Sequence, residues 1–370
     1  MKREFIPRLI SGIGKWELFP GMFVIGNAEL DRYVRVPMGS VDPVWRAIQY
    51  CDGHRSLSEI DGLMLADGWS FDVAGLYRKL ADAGLVAGSR YVSDLNRISV
   101  TWFEARIARL FPAWPWWRLL SHLLAAAMLL CIVVGGLVWL LAPVKAPGIW
   151  NPSELEVAAA VVSGTVISIF IHEAAHALAA CAEGLKPARV LLLGYLGVIP
   201  YTMLSIPGLY TIRPAGRVRV WIAGPLASLS LASFCYLGRS FEMFPVAARV
   251  WLDHMSVANT MIAVWNCCPL LPTDGYFIVS TLSRQANWRM RSWRELVSCV
   301  SDRRRPQMLL LLYGLGSSAA LAILVLHSIN RILAATNFTW AGYAGVLLLI
   351  LLFGLKRAAL KRQSVAGSMR

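Results

Sequence analysis

The sequence predicts a mainly α fold: a polytopic membrane helical bundle of about six spans with a membrane-associated hairpin, preceded by a small N-terminal α+β winged-helix domain. Three observations lead there. Hydrophobic residues make up 57% of the 370 residues and charged ones only 16%, where soluble chains carry about 25%. The apolar excess is concentrated, because residues 1–118 read as mixed soluble sequence and nearly everything after Leu119 falls in long uncharged runs. Within the first hundred residues, short strand-like runs and capped amphipathic helices follow one another at close spacing. This composition excludes an ordinary soluble chain, and it excludes disorder, which needs low hydrophobicity. The seven cysteines have no framework spacing and mostly sit beside apolar runs, so no disulfide scaffold is expected. Met1-Lys-Arg-Glu-Phe opens a polar stretch, not the apolar core of a cleavable signal.

The N-terminal elements run in order over residues 1–100. Met22–Ile25 and Tyr33–Val36 alternate like strands around Gly26-Asn27. Asp42-Pro43 starts a helix, as a cap followed by a proline suited to the first turn. Ser56-x-x-Glu59 is a capping box opening a second helix through Ile60 and Met64, which Gly68 stops. Asp72 can cap a third helix bearing Leu76 and Leu80, before Gly84-Leu85-Val86 returns as a strand. Residues 101–118 hold Arg106, Arg109, Trp114, Trp116, Trp117 and Arg118, and read as an interfacial linker at headgroup depth.

Runs of about 20 apolar residues suffice to cross a bilayer as helices. Residues 119–360 contain six: Leu119–Ala142, Leu155–Ala180, Val220–Gly238, Val250–Leu271, Met308–Ile329 and Trp340–Leu355. Lys and Arg are distributed 17 to 4 between the two sets of connecting loops, which predicts a multi-pass protein of the plasma membrane with both termini in the cytoplasm. Residues 361–370 form a basic tail. The net charge of +14 is thus mostly an orientation signal, and no nucleic-acid partner is expected. Val190–Ile212 is a seventh uncharged run, but its flanks are both basic and it holds Gly194, Gly197, Pro200, Pro207 and Gly208. It reads as a re-entrant or membrane-lying hairpin that leaves and returns on one side.

Acidic residues inside apolar runs are costly, and so mark function. Glu173 belongs to His172-Glu173-Ala174-Ala175-His176, an HExxH motif inside the second run. On a helix, histidines four apart share a face and can bind one zinc, with the glutamate placed to accept a proton from the attacking water. Chance predicts about 0.003 such motifs in a chain of this composition. The alternative is a pair of interior histidines bonding between helices. A catalytic zinc takes three protein ligands and keeps one open position. The candidate third ligand is Asp274, at the end of the fourth run in Asn266-Cys267-Cys268-Pro269-Leu270-Leu271-Pro272-Thr273-Asp274-Gly275. Pro269 and Pro272 should unwind that end, and Gly275 should allow a tight turn beside the carboxylate. The competing role for Asp274 is a turn or cap aspartate.

His172-Glu173-x-x-His176 followed by Asn266-x-x-Pro269-x-x-Pro272-x-Asp274-Gly275 resembles the site-2 protease family of intramembrane zinc metallopeptidases, over about residues 119–283. The resemblance implies His172, His176 and Asp274 as ligands of Zn2+, Glu173 as general base, and Asn266 as a polar residue holding substrate or oxyanion. Thr273 departs from the commonest family pattern, which has an apolar residue there. Gly224-Pro225 is similar to a small-residue element of the family, with plain helix packing as the alternative.

In the N-terminal part, the pattern Trp45…Cys51-Asp52-Gly53-His54…Leu57-x-Glu59-Ile60…Leu80-x-x-Ala83-Gly84-Leu85-Val86 resembles PqqD-like peptide-recognition domains. That implies capture of leader segments by strand addition; a structural module or DNA binding would share the outline. Residues 56–67 hold no Lys or Arg, which speaks against DNA. The expected partners are the lipid bilayer and a peptide or single-span membrane protein as substrate. Three functions fit: maturation of a ribosomally made modified peptide, regulated proteolysis of a transmembrane signalling protein such as an anti-sigma factor, or non-catalytic peptide transport or immunity.

Overall fold

The computed structural model describes residues 6–89, 99–112, 114–141, 154–195, 199–239, 241, 243–285, 288–301 and 307–320. The chain divides into two compact units, Met1–Trp288 and Arg289–Arg370.

The first unit begins with three antiparallel strands, β1 (Ile13–Phe19), β2 (Met22–Asn27) and β3 (Arg32–Pro37), in the order β1-β2-β3. The two expected strands lie in β2 and β3. β1 escapes the sequence reading, because Lys15 and Glu17 break its apolar alternation and its register shifts between Glu17 and Phe19. Three helices follow: α1 (Val41–Tyr50), α2 (Leu57–Ala66) and α3 (Val73–Asp82). α1 starts earlier than the sequence predicts, with Ser40 at the cap position and Asp42 in the first turn, where its charge suits the helix dipole. The capping box is present: Ser56 N–H donates to Glu59 Oε2 at 2.6 Å, and Glu59 N–H donates to Ser56 Oγ at 3.3 Å. Gly75 N–H donates to Asp72 Oδ1 at 2.7 Å, so Asp72 caps α3. The strand expected at Gly84–Val86 is a single bridge between Val86 and Leu9.

One face of this sheet packs on the helices through a buried core that includes Ile25, Val44, Ile48, Ile60, Met64 and Leu80. The opposite face buries Leu18, Phe19 and Val24, and against it sits Tyr210 from much later in the chain. Asp31, at the β2–β3 turn, has a left-handed φ of 54° and a shielded Oδ1 with no hydrogen-bond partner among the described residues. Burial pushes its carboxyl up from 3.8 to about 6, against the pull of Arg189. The folded state therefore holds this proton more tightly than the unfolded chain. Its destabilising effect is complete above pH 6 and vanishes below pH 3.8. Asn tolerates the left-handed conformation and carries no charge. Asp31→Asn is thus expected to raise the thermal midpoint at pH 8 and leave it unchanged at pH 4, as read by melts in detergent.

A second antiparallel sheet joins β4 (Ser99–Arg106) to β5 (Arg189–Tyr195) and β6 (Ile199–Ser205), in the order β4-β5-β6. Within the run Val190–Ile212, β5 and β6 pair antiparallel as far as Ser205, the hairpin part of the expectation, and a short 3-10 turn follows at Leu209–Thr211. The linker expectation for 101–118 needs correction, since residues 101–106 form an edge strand. Backbone donors and acceptors unpaired beside apolar surroundings are costly, and β5 supplies partners for them from Ser99↔Tyr195 to Arg106↔Arg189.

The remaining helices of this unit are α4 (Trp117–Leu141), α5 (Glu154–Ala182), α6 (Pro214–Gly238), α7 (Val246–Cys267) and α8 (Asp274–Leu282). α6 is central and touches α4, α5, α7 and α8. Close approach is set by small residues: Gly135 of α4 lies against Ser233 of α6, and Gly164 of α5 against Met255 of α7. Among the described residues, three helices are long and apolar enough to cross a membrane: Trp117–Leu141, Val162–Ala182 and Pro214–Gly238. The chain is a membrane protein on that ground, and the exposed Leu130, Leu140 and Leu141 of α4 suit a lipid surface. α7 does not meet the same standard, because it carries Arg249, Asp253 and His254, with Asp253 paired to Arg239 at the end of α6. The second unit holds α9 (Trp288–Ser301) from its second residue onward and a shorter apolar helix, α10 (Met308–Ala320). The rest of the expected span Met308–Ile329, and all of Trp340–Leu355, lie outside the described residues.

Candidate metal centre

His172, Glu173 and His176 lie on α5, and all three are buried. Asp274 is the first residue of α8, also buried. The two prolines act as the sequence predicts: α7 ends at Cys267, and the chain turns through 268–273 before α8 begins. Thr273, the departure from the family pattern, has a local role there. Its hydroxyl reaches the carbonyls of Cys268 at 3.1 Å and Trp265 at 3.3 Å, the latter also taking the Cys268 N–H at 3.2 Å, and so ties down the chain where the helix ends. Gly275 serves a different purpose from the one expected. It lies in the first turn of α8, where a Cβ would run into the carbonyls of Cys267 and Asn266, so it permits a close backbone approach, not a left-handed turn. Phe277 of α8 stacks on Trp221 of α6 at 4.6 Å between ring centroids, which secures the helix that carries Asp274.

The three proposed donors converge. His172 Nε2 stands 3.2 Å from Asp274 Oδ2, His176 Nε2 stands 3.3 Å from the same oxygen, and the two Nε2 atoms are 3.2 Å apart. A tetrahedral zinc with bonds of about 2.0–2.1 Å holds its ligand atoms about 3.3–3.4 Å from one another. The triangle has that size. Among the described residues, these are the three His, Cys, Asp or Glu side chains grouped to hold a metal ion.

The polar bookkeeping around the triangle points the same way. His176 Nδ1 lies 2.7 Å from the Val220 carbonyl. A carbonyl only accepts, so Nδ1 carries the proton and Nε2 of the neutral ring presents a lone pair to the centre. His172 Nδ1 contacts Ser228 Oγ at 2.9 Å, and its Nε2 likewise faces inward. Asp274 Oδ2 is buried and has no hydrogen-bond donor among the described residues. Inward lone pairs facing a buried carboxylate oxygen are mutually repulsive unless a cation sits among them. Finally, Gly224 of α6 faces the triangle, and a Cβ there would overlap both Nε2 atoms. The cradle exists because position 224 has no side chain.

Two further placements complete the site. Glu173 Oε1 accepts a hydrogen bond from Thr202 Oγ1 of β6 at 2.7 Å. Asn266 is near the end of α7, and its amide donates to its own helix at the Ile262 carbonyl, 3.0 Å away. No described contact joins it to the triangle.

Sequence reasoning misses Val220, Ser228 and Thr202, and it leaves Gly224 divided between family element and plain packing. One signal is available: Val220, Gly224 and Ser228 are spaced by four, which places them on one helical face. It also misses the buried polar clasp between α5 and α7, where Asn259 donates to Ser168 Oγ and to the Met255 carbonyl, each at 2.8 Å. That clasp lies one turn from His172 and fixes α7, which leads to Asp274, against the helix of the two histidines.

No family model matches the chain. No solved structure matches it either. A search of curated proteins finds similarity to a zinc metalloprotease of Methanocaldococcus jannaschii, 27% identical over 159 residues. The match covers 43% of this chain and 44% of that relative, so the chain spans less than half the length of the curated relative it resembles.

Proposed function

We propose that this chain is an intramembrane zinc metalloendopeptidase of the site-2 protease type. The observation that carries the reading is the triangle of His172, His176 and Asp274 donors, sized for one tetrahedral ion and backed by a glycine. The similarity to a zinc metalloprotease supports the same chemistry. A zinc held by these residues would act as a Lewis acid on the scissile carbonyl and would make water a competent nucleophile near neutral pH. The residues of the chain do the rest. Glu173 accepts the proton of the attacking water and returns it to the leaving amine. Val220 and Ser228 orient the imidazoles. Asn266 is assigned to the substrate side, where a modest reorientation of its amide would let it hold the peptide or the oxyanion.

The substrate we propose is a membrane-inserted or membrane-associated peptide cut near the cytoplasmic face, with the precursor of a ribosomally synthesised modified peptide as the leading candidate. Residues 1–100 would recruit it as a PqqD-like domain. β3 is an outer strand of its sheet and offers an edge for strand addition. The reading assigns both termini to the cytoplasm of a multi-pass plasma-membrane protein, which the distribution of Lys and Arg between the loops supports.

The reading is tested by metal analysis and cleavage together. Asp274→Asn removes the anionic ligand and keeps the shape, so the purified variant is expected to retain less than about a tenth of the parent's zinc and to lose cleavage with it. Its melting profile should stay close to that of the metal-stripped parent. Equal zinc content in variant and parent would overturn the ligand assignment.

A further inference from the structure

The hydrogen bond between Thr202 and Glu173 joins two elements that belong to different parts of the fold. β6 pairs with β5 in a fixed register, Leu192↔Thr202 and Val190↔Leu204. Residues two apart on a strand face the same way, so Thr202 and Leu204 share the face that lies on α5. Leu204 packs against the cluster of Ala179, Ala180 and Val220, and anchors the strand about two helical turns from Glu173. The strand direction then brings Thr202 alongside Glu173, where its hydroxyl donates to Oε1 at 2.7 Å. A buried carboxylate with one oxygen held in this way has few orientations left.

We propose that Thr202 is the positioning residue of the general base, an inference that rests on the metallopeptidase reading above. With Oε1 accepting from Thr202, Oε2 is the oxygen left to take the proton. In the reaction the attacking water gives one proton to Oε2 as its oxygen bonds to the carbonyl carbon. The same proton goes to the amine as the carbon–nitrogen bond breaks, and the Thr202 hydroxyl keeps its own hydrogen throughout. Among the described contacts the Thr202 hydroxyl is joined to Glu173 and not to the triangle, so its action on the rate runs through Glu173.

The test uses the full chain in detergent micelles with a labelled single-span peptide that carries a helix-breaking pair near its cytoplasmic end. Thr202→Val keeps the β-branched shape suited to a strand and removes only the hydroxyl. Hydrogen bonds to charged groups are the stronger ones, so kcat is expected to fall between about tenfold and a hundredfold, with KM and zinc content unchanged. Thr202→Ser keeps the donor and should restore most of kcat. A packing role predicts the opposite pattern, in which Thr202→Val cleaves like the parent and Thr202→Ser, which loses the methyl group, is impaired, or else KM and zinc content move with kcat; either result overturns the inference. If Thr202→Val cleaves at the parental rate while Glu173→Ala does not cleave, the Thr202 inference alone falls. If the parent does not cleave, or Glu173→Ala cleaves as well as the parent, the reading beneath it falls too.

Discussion

Glu173→Ala is expected to bind zinc as the parent does and to cleave at least roughly a thousandfold more slowly, within the range that general-base loss costs. The two outcomes separate because Glu173 is not one of the three converging donors, so its removal leaves the His172, His176 and Asp274 triangle intact. Folding should survive as well. Ala is the better helix former, and the local cost is one unpaired hydroxyl at Thr202, about 1–3 kcal/mol. Zinc content by elemental analysis and product formation by mass spectrometry are the two measurements. Undiminished cleavage with zinc bound would remove Glu173 from the mechanism as its general base. Loss of zinc along with activity would mean that Glu173 shapes the metal site and does not act on the proton.

Gly224→Ala should abolish metal binding by adding a single methyl group. A Cβ at this position overlaps both histidine Nε2 atoms, and it does so from the rigid backbone of α6, where it cannot swing aside. The expected loss of zinc affinity is at least about a hundredfold, the upper end of what changes outside the ligand set cost. Helix propensity acts in the opposite direction, because Ala in a helix interior is more favourable than Gly by about 0.8–1.0 kcal/mol. A variant that melts no lower than the metal-free parent yet holds no zinc would therefore assign the effect to sterics at the site. Zinc binding equal to the parent's would show that α6 does not back the triangle, and would undo the geometry on which the metal reading stands.

Much of this site is legible in the order of residues alone, and the reason is local chemistry. Two histidines four apart share a helical face whatever surrounds them. Pro269 and Pro272 end a helix because they lack amide hydrogens, and α7 does end at Cys267. The hairpin at Val190–Ile212 is readable from its turn-formers, and the caps of α2 and α3 from Ser56, Glu59 and Asp72. Where sequence reading fails, the deciding contact is distant. β4 resembles a linker because its partner β5 lies beyond two long helices, and an exposed aromatic such as Phe103 on an edge strand mimics an interfacial segment. Gly275 suggests a turn because a glycine's backbone freedom is visible in sequence, whereas a carbonyl approaching from the preceding helix is not.

The amino-acid order by itself determined the apolar runs, the helix carrying His172, Glu173 and His176, and the break that frees Asp274, since each depends on neighbours within a turn or two. Only the tertiary structure decided which carbonyl and which hydroxyl orient the imidazoles, the latter from Ser228, 56 residues beyond His172. It also decided that Thr202 meets Glu173 and that Tyr210 and Arg217 seat the N-terminal sheet, with Arg217 donating to the Leu18 carbonyl. Such contacts are set by how faces and registers interlock when the elements pack, and no local pattern encodes the depth at which one helix slides against another.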